Sequence, residues 1–260
     1  RHPVNSTYRR DYDDEKQNST MRIEMFLLLS GEGASDIGTQ DDEIGPMTKF
    51  IDKCIARHSR YSLIEVGSYT IVTKQTLSET AKREIKPLSK KGKKQLSETR
   101  YFYKNARALA LLAKRKGEEL DLTVIPVLFR DADGTASSDR GEWRDKRQSM
   151  LAGFEVERVL NGIPMIPKPK SEAWVLCALR DNYQNCERLE DQSGNDSSPN
   201  SLKDQLESHL GEAATRMFLN EKVDRGQLDI TRIVDMPSLN VFKDRVDEVF
   251  SNLPNSSNTT

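Results

Sequence analysis

Asp131 and Asp133 place two carboxylates at positions i and i+2, directly after the nearly all-apolar run 122–129. Two anions held that close repel each other unless a cation neutralises them, so the pair points to a hard divalent metal ion. Gly134 lets the chain turn away behind them. Glu32 stands between Gly31 and Gly33 at the end of another apolar run, 21–29, and Asp36 follows four residues later. Flanking glycines permit a tight turn and a close backbone approach. Farther on, Pro167-Lys168-Pro169-Lys170-Ser171-Glu172-Ala173-Trp174 holds two lysines in an extended, proline-restrained segment. Lysines so placed can neutralise a phosphate in a transition state. Glu172 is a further candidate metal carboxylate, or a first-turn acid favoured by the helix dipole. Plainer readings compete: Asp-Gly is a common turn pair, and Glu32 with Asp36 can be a turn acid and a helix cap.

The elements that must position these groups follow from periodicity. Runs 21–29, 69–72, 122–129 and 163–166 read as strands, with 63–66 as another short candidate. Run 122–129 has the pattern of a strand buried on both faces. Pro46 opens a helix with Met47, Phe50, Ile51, Cys54 and Ile55 on one face. Helices are also expected over 98–116, 143–160, 169–179, 202–210 and 239–250, with a polar loop over 182–200. Strands alternating with helices imply a parallel α/β sheet, and ligands of such sheets sit beyond the carboxyl ends of the strands. Glu32 and the Asp131–Asp133 pair both fall at such ends. If their strands are neighbours, the side chains share one cleft.

Charge is segregated. Between Lys82 and Lys116 thirteen lysines and arginines face only Glu84 and Glu98, a local excess of eleven in a chain of net charge −1. Lys82, Arg83, Lys86, Lys90, Lys91, Lys93, Lys94 and Arg100 are the candidate nucleic-acid contacts, because a dense patch on a neutral protein suits a polyanion. Tyr101 and Tyr103 could stack on bases, whereas Phe102 fits the core better. A solvated loop is the competing reading for 89–95.

Several classes are excluded or disfavoured. With only His2, His58 and His209, chemistry that needs a histidine cluster is nearly excluded, so carboxylates and lysines must carry any catalysis. Cys54, Cys177 and Cys186 lack CxxC spacing, which argues against a disulfide framework and a zinc site; Cys54 and Cys177 read as small core residues. Trp174 likewise reads as core. No apolar run approaches the roughly 20 residues of a membrane span, and no secretory h-region follows the N-terminus, so a cytoplasmic protein without membrane contact is expected. There is no Gly-rich Lys-Ser/Thr phosphate loop, so ATP hydrolysis would require a partner.

Ser30-Gly31-Glu32-Gly33-Ala34-Ser35-Asp36 after a first strand, with Asp131-x-Asp133 after a later one, resembles the Toprim domain of topoisomerases, primases and overcoming-lysogenization-defect nucleases. With the Pro-Lys-Pro-Lys-Ser-Glu-Ala-Trp stretch downstream, the chain looks closest to stand-alone bacterial Toprim-like proteins, often encoded beside ATPases and associated with phage defence. The resemblance covers roughly residues 21–180. It implies a small parallel α/β sheet flanked by helices, with 74–99 a basic insertion and 181–250 a helical C-terminal extension. Residues 1–20 and 251–260 are expected to be disordered tails.

The resemblance further implies that Glu32, Asp36, Asp131 and Asp133 bind Mg2+ or Mn2+, with Glu172 as an added ligand. Glu32, Asp131, Asp133, Lys168 and Lys170 would be catalytic in a nuclease acting on DNA or RNA. Glu32 could instead serve as general base. An ATPase subunit and a second copy of the chain are the partners this view allows. Two other functions stay open. The segment from Phe129 to Thr135 also resembles the first motif of haloacid-dehalogenase phosphatases, with Asp131 as nucleophile. The chain could also be a non-catalytic subunit that binds nucleic acid or an ATPase.

Overall fold

A computed structural model describes residues 24–31, 33–40, 42–85, 97–132, 142–180 and 185–253. Four strands form one sheet: β1 (Met25–Ser30), β2 (Tyr69–Val72), β3 (Thr123–Phe129) and β4 (Ile163–Met165), in the order β2-β1-β3-β4. Every pairing is parallel. The architecture is therefore the expected α/β class, a small all-parallel sheet flanked by helices. Parallel neighbours need crossover connections, and the helices supply them while covering both faces.

Strand residues alternate between two cores. Leu27, Leu29, Ile125, Val127 and Phe129 enter one core with α1 (Pro46–Ser59), α5 (Ser171–Ala178) and the C-terminal helices α6 (Leu202–Leu210), α7 (Arg216–Asp224) and α8 (Pro237–Ser251). Phe26, Leu28, Val124 and Leu128 enter the other, with α2 (Lys74–Glu84), α3 (Ser97–Leu120) and α4 (Trp143–Val156). The expected α1 face is realised in full: Met47, Phe50, Ile51, Cys54 and Ile55 are all buried, and Pro46 occupies the first turn. Trp174 is fully buried, and its indole N–H donates to Ser238 Oγ at 2.9 Å.

Three sequence expectations need correction. Residues 63–66 are not a strand but part of a turn. Asp52 sets that turn by accepting from the N–H groups of Leu63 and Ile64 and from Ser62 Oγ. Hydrogen bonds that a strand would take from a neighbour are supplied by one buried carboxylate, so Leu63 is buried without a sheet partner. Helices α2 and α7 were not anticipated; α2 buries only Leu77 and Thr80, and α7 only Leu219, Asn220 and Val223. Finally, Cys177 and Cys186 form a disulfide, against the expectation of none. The bridge brings Cys186 to 5.6 Å from Cys177 of α5 between Cα atoms, and Asn185 just before it has a φ of 57°. Cys54 is free and buried, and burial pushes its thiol up to about 12.

Candidate active-site cleft

The two acidic segments emerge from adjacent strands. β1 and β3 pair along their length, with Ser30 beside Leu128, so their carboxyl ends lie side by side. That meets the condition for one shared cleft. Glu32 and Asp133 themselves lie outside the described residues, as do Lys86, Lys90, Lys91, Lys93 and Lys94.

Beyond β1 the backbone folds into a turn in which the N–H groups of Asp36 and Ile37 donate to Gly33 O. Asp36 is thus a turn residue, and α1 begins only at Pro46. Side chains are not tolerated here: a Cβ on Gly31 would overlap the Ile37 side chain, and one on Gly33 would stand 2.7 Å from Asp36 Oδ2. Beyond β3 the chain keeps pairing with the segment after β4. Arg130 N–H donates to Met165 O at 3.0 Å and Ala132 N–H to Pro167 O at 2.9 Å. This ladder lays the Pro-Lys-Pro-Lys stretch alongside Asp131 and delivers the start of α5 into the cleft.

Ser171, the first residue of α5, joins the two sides. Its N–H donates to Asp131 Oδ1 at 2.9 Å and its hydroxyl to Asp36 Oδ1 at 3.0 Å, with Glu172 Oε2 3.3 Å away. Asp36, Asp131, Ser171, Glu172 and Lys170 line a cavity of about 340 Å3 together with Asp196 and Lys203. Lys170 reaches Asp196 at 2.6 Å and Glu172 at 3.8 Å. Burial raises the pKa of Asp36, and the Glu172 carboxylate adds to the rise; the Ser171 hydroxyl and Lys170 oppose it. Burial alone would lower Lys170, but Asp196, Glu172 and Asp131 outweigh it and hold the ammonium above its ordinary value.

Of the expected site residues, the structure brings Asp36, Asp131, Lys170 and Glu172 together. Lys168 is not among the cavity's lining residues and pairs with exposed Asp191 at 3.5 Å. Sequence reasoning missed Ser171, Asp196 and Lys203. Ser171 was visible as the residue before Glu172 at a helix start, whereas Asp196 sits in a polar loop that carries no pattern. The described members of the basic set, Lys82, Arg83 and Arg100, are exposed on α2 and α3. These helices cover the sheet face opposite to α5 and α6, which line the cleft. Arg83 is engaged by Glu84, which also pairs with Arg115. Phe102 is core, and Tyr101 packs beside it with the buried Arg130 guanidinium 6.0 Å from its ring.

The donor set suits a hard cation, since every ligand atom on offer is oxygen. Among the described lining residues four carboxylates stand against two lysines, a formal surplus of two negative charges. One divalent ion would cancel it. The carboxylates are gathered about Ser171 rather than about a common point. Among the described residues, the one group of three His, Cys, Asp or Glu donors within 4.8 Å of one another is Cys177, Cys186 and Asp235. A larger cleft of about 570 Å3 lies between α4 and α8, lined by Leu151, Phe154, Val159 and Leu160. It holds none of the expected site residues, and its Arg245 is committed to Glu248 and to the Gly162 carbonyl. Among the described residues no helix is long and apolar enough to cross a membrane. No family model, no curated protein and no solved structure matches the chain.

Proposed function

We propose that the chain is a divalent-metal-dependent, Toprim-like nuclease that hydrolyses phosphodiester bonds of nucleic acid, an effector of bacterial phage defence working beside an ATPase. The observation that carries this reading is the convergence of carboxylates where β1 and β3 end side by side, with Asp36 and Asp131 tied to one serine. Mg2+ or Mn2+ bound in this cleft would polarise a phosphoryl oxygen and activate water, and Asp36, Asp131 and Glu172 are the carboxylates that would have to draw together to hold it. Glu32 and Asp133 are ligands by the resemblance alone.

The chain's own residues have distinct tasks. Ser171 fixes the directions of Asp36 and Asp131 before substrate arrives, which removes reorganisation from the reaction. Lys170 remains charged and, held by Asp196 and Glu172, places a cation where the phosphate's charge grows. The exposed lysines of α2 and α3 lie on the other face and would serve long-range attraction of a polyanion rather than chemistry.

The test is Mn2+-dependent cleavage of DNA and RNA, single- and double-stranded, by the wild type, Asp36→Asn and Asp131→Asn. Loss of cleavage in both variants, with unchanged circular dichroism, is expected. Cleavage that persists in both overturns the reading. An acyl-phosphate trapped on Asp131 would return the phosphatase alternative.

A further inference from the structure

The opposite end of α5 carries a second constellation, which the proposed nuclease chemistry does not use. Cys177 and Cys186 are fully buried, 5.6 Å apart between Cα atoms, and joined by a disulfide. Asp235, from the segment before α8, accepts from Cys186 N–H through Oδ2 at 3.2 Å. Among the described residues its other oxygen, Oδ1, is buried without a hydrogen-bond partner. Leaving a buried carboxylate oxygen unsatisfied is costly, which favours a state in which it gains a partner. The two sulfurs and a carboxylate oxygen of Asp235 all lie within 4.8 Å of one another. Arg180 sits 3.9 Å from Cys186 Sγ, where its charge favours a thiolate.

We propose that, once the disulfide is reduced, Cys177, Cys186 and Asp235 form a zinc site. A thiol-reducing agent of the dithiol class supplies two electrons and two protons. The S–S bond breaks, two thiols form, and the donor closes its own disulfide. Binding of Zn2+ then releases the two thiol protons and leaves two thiolates and one carboxylate on the ion. Zinc accepts S and O donors at about 2.3 and 2.0–2.2 Å in a tetrahedron, which places the donors about 3.5–3.8 Å apart. Once reduction has broken the S–S bond the two sulfurs can part to that separation beside Asp235, and water completes the fourth position. Soft thiolates select zinc over the Mg2+ or Mn2+ suited to the oxygen-lined cleft. Disulfide and metal are therefore alternative states of one site that ties α5 to α8.

The test uses the full chain reduced with a phosphine, which takes oxygen from water, becomes the phosphine oxide and does not compete as a dithiol chelator would. Cobalt(II) is then titrated in and displaced with Zn2+. One equivalent of cobalt giving a thiolate-to-metal charge-transfer band, bleached by zinc and missing in the oxidised chain, is the expected result. An ion in the carboxylate cleft gives no such band. Cys54→Ser should leave the signal intact, and Cys177→Ser or Cys186→Ser should abolish it. Asp235→Asn keeps both sulfurs, and should weaken binding at least about tenfold, since even an outer partner of a ligand is worth about that much. A reduced wild type without the band, or an Asp235→Asn variant of unchanged affinity, overturns the proposal.

Discussion

Replacing Ser171 by alanine removes one hydroxyl and tests whether the two sides of the cleft are fastened together as described. The hydroxyl donates to Asp36 Oδ1 at 3.0 Å, and Ser171 is 4% exposed, so water cannot fully replace it. A hydrogen bond to a charged group contributes about 1.5–3 kcal/mol. The backbone N–H bond to Asp131 survives the substitution, so the loss falls on the hydroxyl's contacts with Asp36 and, more weakly, Glu172. Chemical denaturation of the wild type, Ser171→Ala, Asp36→Ala and the double variant forms a thermodynamic cycle. Ser171→Ala is expected to lose about 1.5–3 kcal/mol. The coupling with Asp36 should be at least about 1 kcal/mol, within the range found for residues that share a hydrogen bond. Strictly additive losses would mean that the turn after β1 and the start of α5 are not joined, and the assembled cleft would have to be abandoned.

Three further substitutions test other parts of the fold. Burial raises the pKa of Asp52 above 3.8, so the folded state holds its proton more tightly than the unfolded chain does. That stabilisation is present below pH 3.8 and lost as pH rises through the raised value. The stability of Asp52→Asn relative to wild type should therefore climb over that interval, and a pH-independent difference in urea titrations would refute the assignment. Gly31→Ala drives a Cβ into Ile37, a residue only 1% exposed, and should cost about 1–3 kcal/mol; an unchanged melting curve would contradict the close approach. Leu29→Ala, at a position with no exposure in the middle of the sheet, should cost about 2–5 kcal/mol by calorimetry or denaturant. A loss below that range would mean the strand is not central.

The sheet was legible because its strands are written in apolar residues that no other element could bury. β1 and β3 appear as short unbroken apolar runs, whereas their adjacency is set by long-range pairing and is visible only in the structure. α1 was legible from its spacing and its opening proline. What escaped detection shares one physical trait: the decisive interaction is made by few or polar groups. α2 rests on Leu77 and Thr80, and α7 carries Met217 71% exposed in the midst of its pattern, which blurs any apolar face. Leu63 looks like a strand residue because it is buried, yet the buried Asp52 carboxylate supplies its backbone partner. The carboxylates Asp36, Asp131 and Glu172 were recognisable by type and position. Ser171 was not, since a serine at a helix start has too many ordinary uses to mark a site. The Cys177–Cys186 bridge has no short spacing motif, since its cysteines stand 9 residues apart, one on α5 and one beyond it.

Binding of Mn2+ to the full chain, followed by the loss of its free-ion paramagnetic resonance signal, addresses the central claim most directly. The wild type should sequester the ion, Asp36→Asn and Asp131→Asn should each weaken it at least about tenfold, and Lys168→Ala should leave it unchanged. Equal affinity in the wild type and both carboxylate variants would mean that Asp36 and Asp131 share a serine but not a metal.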